Sequence, residues 1–298
     1  MNPSQDTAAI DIRGLRYAYG RSEAIHELDL RVAPGRCYGL FGRNGAGKTT
    51  TMRCLRNLLR PQRGSVRVFG MDPARHEVEV KRRIAFVPDA VAFYPWMTVR
   101  ETLDYLASFR SRWNRGTERD LLTRSRLDLS QKTGALSKGQ RTQVALIGAI
   151  CAEPELLLLD EPTSGLDAIV RREFIETVIG AYQDADPANR TILVSTHLIS
   201  EFEGLIDEFT IMDGGRAVLT LAADQARERY QRIRAGFAAP VPALEFAGAL
   251  RVRRAEREID IVAAGDGERL HADVQRLSPE WCTRESLTLE EVFVATLS

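Results

Sequence analysis

Residues 37–50 read CYGLFGRNGAGKTT, an apolar run followed at once by a glycine-rich loop and Lys48-Thr49. Cys37 to Phe41 carries no charge, as expected of a strand covered on both faces. From Gly42 the chain follows the spacing G-x-x-x-x-G-K-[ST], whose backbone N–H groups turn inward and cradle phosphate oxygens. The glycines permit close approach and backbone angles that other residues avoid. A helix from Lys48 to Leu59, stopped ahead of Pro61, adds positive potential at its N-terminus. On this reading Gly42, Arg43, Asn44, Gly45, Ala46, Gly47, Lys48, Thr49 and Thr50 wrap the phosphates of a nucleotide. Lys48 reaches the terminal phosphates, and Thr49 sets its hydroxyl on Mg²⁺.

A second apolar run, Leu156–Leu159, ends in Asp160-Glu161. The leucines read as a buried strand, with both carboxylates at its end. There Asp160 would hold Mg²⁺ through its water shell, and Glu161 would polarise the attacking water as a general base. Acids also favour helix starts, so alone the pair would be ambiguous. Beside a phosphate loop it points to nucleotide hydrolysis.

Two further stretches fit the same chemistry. Leu136–Gln140 reads LSKGQ ahead of a helix expected over Gln140–Cys151. Ser137 with Gly139 at a helix start can bind a phosphate from outside the chain's own loop; the plainer alternative is an N-cap. His197 follows an apolar strand, Ile192–Ser195. A lone histidine is more often structural than catalytic. At the C-terminal edge of a strand in a P-loop fold, it would face the terminal phosphate.

The rest of the chain supplies a frame. Ile10, Ile12, Leu15 and then Ile25, Leu28, Leu30, Val32 alternate with polar residues, predicting antiparallel strands with one covered face. Ser65–Phe69, Ile84–Val87 and Thr191–Ser195 read as further strands. Thr98–Phe109 reads as a helix, with Thr98 and Glu101 spaced as a capping box, and Ala168–Tyr182 as another. Strands alternating with helices imply a parallel sheet. A charged helix is expected over Ala222–Arg234, a linker at Ala238–Pro242, a weak strand at Ile259–Val262 and a helical end at Leu289–Leu297.

Composition excludes some roles. The 298 residues hold 41 Lys plus Arg and 41 Asp plus Glu, so no net charge draws the chain to nucleic acid, and none is expected as a partner. A hydrophobic fraction of 44% with 28% charged residues suits a globular protein with a sizeable core. No run approaches the ~18 apolar residues of a membrane-spanning helix. The first residues, MNPSQDTAAIDIRG, lack the basic start and apolar stretch of a signal peptide, so a cytoplasmic chain is expected. Cys37, Cys54, Cys151 and Cys282 form no CxxC pair and read as reduced thiols.

Taken together, GRNGAGKTT, LSKGQ, LLLLDE, SGLD at Ser164–Asp167 and STH ending at His197 resemble the nucleotide-binding subunit of ABC transporters, over about residues 10–220. The resemblance implies an α/β fold: a P-loop NTPase, ABC-type ATPase domain with a parallel sheet core, an antiparallel β subdomain and a helical subdomain at about 90–150. It implies an ATP-binding domain over 8–222 and a small α+β appendage over 223–298, with ATP and Mg²⁺ as cofactors. Tyr19 is similar to the aromatic that stacks on adenine. The family works as a head-to-tail dimer, homomeric or heteromeric, in which Ser137, Gly139 and Gln140 act on the partner's nucleotide. Separate transmembrane permease subunits then hold the chain at the cytoplasmic face of the membrane. The ending TLEEVF, Thr288–Phe293, is similar to export-type subunits.

There are two departures from the family pattern. Asp89 in IAFVPD stands where the family has Gln, and the carboxylate makes Asp89 a candidate Mg²⁺ ligand. Lys138 stands in the signature where Gly is usual; it is either a cation near the terminal phosphate or a solvated lysine. Phe93, Tyr94 and Trp96 lie in VAFYPWM, where the family receives a helix of the membrane subunit; burial within the chain's own helical region is the alternative. Other readings are a soluble ABC ATPase acting on ribosomes or DNA, and a low-turnover nucleotide-binding regulator. Lys48, Asp160, Glu161 and His197 together argue against the second.

Overall fold

The alternating residues at the N-terminus form β1 (Ile10–Tyr19) and β2 (Ser22–Val32), paired antiparallel with Ile10 opposite Val32 and Ile12 opposite Leu30. Their apolar positions are buried and their polar ones face outward, so one face of the ribbon is a core face. The computed structural model describes residues 8–125, 127–183, 190–241 and 244–297. The chain divides into two units between Val218 and Leu219.

The apolar run becomes β3 (Cys37–Gly42), buried at every position. Then come α1 (Lys48–Leu55), β4 (Arg63–Val68), α2 (Glu77–Arg83) and β5 (Ile84–Val87). α3 (Val99–Ser108), α4 (Arg115–Ser125) and α5 (Lys138–Cys151) form the helical stretch. β6 (Leu156–Asp160), α6 (Ala168–Gln183), β7 (Thr191–Thr196), β8 (Glu208–Asp213) and β9 (Arg216–Ala222) follow. Among the described residues the strands make a three-stranded antiparallel sheet, β2-β1-β4, and a six-stranded sheet, β5-β6-β7-β3-β8-β9. From β5 through β8 neighbouring strands run parallel.

That parallel register positions the site. Phe41 pairs with Thr196, and Asp160 with Ser195. The loop after β3, the acids ending β6 and the histidine after β7 therefore emerge at one edge, the carboxyl edge where open α/β sheets bind ligands. The strands are pinned by burial. Leu40, Leu158 and Leu193 share one apolar cluster and are fully inaccessible, worth about 1.5–3 kcal/mol each relative to exposure. The Tyr38 hydroxyl, also buried, is satisfied by Thr210 Oγ1 at 2.7 Å.

In the helical stretch the capping box forms as its spacing predicts, with Thr98 Oγ1 accepting from the Glu101 amide. Glu118 is buried there and is neutralised by Arg100 and by Arg115 at 2.8 Å. α1 stops at Leu55 rather than Leu59. Asn57 takes a left-handed φ of 56°, which asparagine tolerates, and the Leu58 amide turns back to the Arg53 carbonyl at 2.9 Å.

In the second unit, α7 (Ala223–Arg229) is followed by β10 (Tyr230–Gly236), β11 (Ala249–Arg254), β12 (Glu258–Ala264), α8 (Gly267–Gln275), β13 (Trp281–Ser286) and α9 (Leu289–Thr296). The sheet order is β11-β12-β10-β13, antiparallel throughout. The charged helix expected to Arg234 thus ends at Arg229. From Tyr230 the chain pairs on both sides, with β12 and β13, and alternation buries Ile233 and Ala235 against Ile261 and Leu270. The expected linker is a loop inside this unit, where the Val241 amide bonds the Glu256 carbonyl; Pro242 lies outside the described residues.

Candidate functional site

The loop after β3 is shaped by close packing as well as by ligand chemistry. Gly47 caps α1 with φ 101°, and a Cβ there would lie 2.6 Å from the Ala24 carbonyl oxygen. At Gly42 a Cβ would lie 2.7 Å from the Met212 carbonyl oxygen. Arg43, Asn44 and Gly45 are exposed, whereas Ala46 and Thr50 are buried. Lys48 curls back over the loop. Its Nζ donates to the Gly42 carbonyl at 2.7 Å and the Arg43 carbonyl at 3.3 Å. Only 4% of Lys48 is exposed, so its charge acts in a poorly screened place.

At the end of β6, Asp160 Oδ1 accepts from Thr49 Oγ1 at 3.1 Å and from Ser195 Oγ at 3.0 Å. Burial pushes the Asp160 carboxyl above its ordinary value; those two hydrogen bonds and Lys48 pull it down, while the Glu161 charge raises it further. A buried carboxylate whose burial is only partly offset by its neighbours, with the Thr49 hydroxyl bonded to it, suits a hard cation with oxygen ligands. Among the described residues no three or more His, Cys, Asp or Glu cluster as a metal cage. The pair therefore fits an ion that keeps water and phosphate oxygens as its other ligands, as Mg²⁺ does.

Glu161 sits on a left-handed backbone, φ 45°, uncommon and strained for a residue with a side chain. The Ser195 carbonyl holds its amide at 2.8 Å. One carboxylate oxygen lies 2.9 Å from Lys48 Nζ, an ion pair without hydrogen-bond alignment. The other lies 2.8 Å from His197 Nδ1 and accepts the His197 amide at 3.3 Å. The structure thus brings Lys48, Thr49, Asp160, Glu161 and His197 into one cluster. Ser195 belongs to it too and was missed in the sequence. The available signal was a hydroxyl closing an otherwise apolar strand.

The remaining candidates stand apart. Tyr19, 44% exposed, ends β1 beside α1, where Arg53 donates to its hydroxyl at 3.2 Å. Ser137 is the N-cap of α5: its Oγ accepts the Gln140 amide at 3.2 Å, and Gln140 Oε1 accepts the Ser137 amide at 2.9 Å. Gly139 has a packing reason, since a Cβ there would lie 2.9 Å from Val170 Cγ1. Among the described residues no hydrogen bond or ion pair joins Ser137, Gly139 or Gln140 to the Lys48 cluster. Asp89, the candidate Mg²⁺ ligand, has its Oδ1 3.2 Å from Lys138 Nζ, and among the described residues no hydrogen bond or ion pair joins it to Thr49 or Asp160.

Comparison with known proteins agrees with this geometry. The family model for ABC transporters matches residues 25–164. The bacitracin transport ATP-binding protein BcrA of Bacillus licheniformis is 33% identical over 216 residues, covering 72% of this chain and 70% of that protein. A Nod factor export ATP-binding protein I of Cupriavidus metallidurans is 33% identical over 217 residues, 71% of this chain and 70% of that one. A solved ATP-binding subunit of an ABC transporter superposes with a TM-score of 0.66 at 27% identity, over 74% of this chain and 92% of that one. With the phosphate loop, the paired acids and the histidine at one sheet edge, these matches place the chain in the ABC transporter family, as an ATP-binding subunit that hydrolyses ATP to drive transport.

Proposed function

We propose that Glu161 activates the attacking water and that the chain powers an exporter through separate membrane subunits. The observation that carries this is the position of Glu161, whose carboxylate touches both the phosphate-loop lysine and His197. Lys48, released from Glu161 by competition from a more highly charged triphosphate, steadies the terminal phosphate. His197 holds the Glu161 carboxylate in register and offers its ring to the same phosphate. Thr49 and Asp160 would hold Mg²⁺, which when bound draws charge off the phosphate oxygens. Tyr19 provides a face for adenine. Residues 8–222 do this work, and 223–298 form an accessory region.

Among the described residues no hydrogen bond or ion pair ties Ser137, Gly139 or Gln140 to the chain's own cluster, and the start of α5 is free to serve the nucleotide of a second ATP-binding subunit. The export direction rests on the ending TLEEVF and on the likeness to the Nod factor export protein. No helix among the described residues is long and apolar enough to cross a membrane, and the membrane path is assigned to separate subunits. For their docking we assign the ledge formed by Tyr94, Trp96, Tyr105 and Phe109. These rings touch in series, Trp96 tilted on Tyr94 and the Tyr94–Tyr105 and Tyr105–Phe109 pairs edge to face, with centroids 5.0, 5.8 and 4.9 Å apart, and all are exposed. So large an aromatic patch on a surface marks an interaction site.

Light scattering on size-exclusion fractions tests the two-subunit site. Glu161→Gln protein should elute as a dimer with ATP and Mg²⁺ and as a monomer with ADP. A monomer under saturating, demonstrably bound ATP would contradict the homodimer and require a different partner chain.

A further inference from the structure

Asp89 follows β5, and Lys138 is the first residue of α5. A cation in the first turn of a helix is opposed by the helix dipole, so Lys138 is unfavourable there unless an anion stands beside it. Asp89 is that anion, with its Oδ1 3.2 Å from Lys138 Nζ. The same lysine also lies along the loop that follows Glu161. A Cβ on Gly165 would come 3.4 Å from Lys138 Nζ and 3.8 Å from its Cδ. One side chain therefore touches the loop after β5 and the loop after β6 from the start of α5.

A second group of contacts joins the same stretches of chain. The Thr133 hydroxyl donates to the Tyr94 carbonyl at 2.8 Å, and the Thr133 amide to the Met97 carbonyl at 2.8 Å. The Gly134 amide donates to the Pro95 carbonyl at 3.2 Å. Thr133 is buried, and a Cβ on Gly134 would lie 3.0 Å from Pro95, so this seam is closely packed. Residues 89–97 and 133–138 are thus fastened along their length. Tyr94 and Trp96 belong to one stretch and Ser137 to the other.

We propose that Lys138 and Asp89 are positioning residues for ATP hydrolysis: their ion pair clasps the start of α5, with Ser137 and Gly139, to the stretch carrying Tyr94 and Trp96 of the aromatic ledge, so that these two rings and the helix start move as one body. The inference rests on the reading that Ser137 serves a nucleotide held by a second subunit. The two departures from the family pattern are, on this account, a matched pair of opposite charges.

Charge exchange tests it. Steady-state ATPase rates are measured for wild type, Asp89→Lys, Lys138→Glu and the double exchange Asp89→Lys with Lys138→Glu, each with a thermal melt. Each single change opposes like charges. It should lower kcat by about fivefold, the scale of a half-exposed ion pair, with little change in KM for ATP. The double exchange restores the pair with reversed polarity and should return kcat to within about twofold of wild type. A double exchange no better than the worse single variant would show that Lys138 acts through its own charge, and would overturn the clasp. So would single variants with wild-type rates. If a reversal fails to melt cooperatively, Asp89→Asn and Lys138→Met replace it; they remove the attraction without adding repulsion, and their losses must then be non-additive. Ser137→Ala is assayed alongside. Full turnover in that variant overturns the reading of the helix start and the clasp with it, whereas lost turnover without rescue by the exchange overturns the clasp alone.

Discussion

His197 Nδ1 lies 2.8 Å from Glu161 Oε2, and the amide of the same histidine donates to that oxygen at 3.3 Å. Side chain and backbone of one residue thus fix one oxygen of the carboxylate, while Lys48 faces the other. A general base must stand within hydrogen-bond reach of its water, so the rate depends on what orients it. We predict that His197→Ala keeps ATP affinity within a few-fold and lowers kcat by about a hundredfold, the usual scale of a lost acid–base positioning group. Single-turnover phosphate release, with nucleotide affinity measured separately, checks this. Loss in affinity alone would assign His197 to binding.

Asp160 gives a prediction about stability. Its carboxyl is raised above 3.8 mainly by burial, so the folded chain binds this proton more readily than the unfolded chain does. Its contribution to stability is therefore most favourable in acid and is lost as pH rises from the unfolded value through the raised one. Asparagine keeps an oxygen for Thr49 and Ser195 and carries no charge. Asp160→Asn should thus melt higher than wild type at neutral pH without nucleotide or metal, by about 2–4 °C for each ~1 kcal/mol removed. The difference should shrink toward pH 3.8. Calorimetry across pH reads this directly, and a lower neutral melting temperature would show that the ionised carboxylate stabilises the fold.

Tyr94 and Trp96 are 47% and 63% exposed, so their removal should not disturb the core. Tyr94→Ala with Trp96→Ala is expected to melt cooperatively and bind ATP, yet to release the membrane subunit, because aromatic anchors at interface centres each contribute about 2 kcal/mol or more. Co-purification of that subunit with tagged wild-type and double-variant chains checks it. Equal recovery would put docking elsewhere.

What the sequence showed, and what it hid, follows from the range of the interactions. The phosphate loop and the acids after four leucines are local patterns, and the structure gathers them at one edge because parallel strands share a direction. The capping box at Thr98 is equally local. Tyr230–Gly236 was hidden, since its strand character comes from β12 and β13 later in the chain, while its arginines read as helix surface. Asp89 and Lys138 were each legible as departures, but their pairing is a contact between residues 49 apart. Ser195 reached Asp160 only through strand register.

The account turns on Glu161 as the base, and Glu161→Gln tests that most directly. The substitution keeps size and the contact to His197 while removing the charge that accepts the water's proton. We predict ATP binding at wild-type strength and steady-state phosphate release reduced by about a hundredfold or more. Turnover near the wild-type rate, in a variant shown to be folded and fully loaded with Mg²⁺ and ATP, would contradict the account.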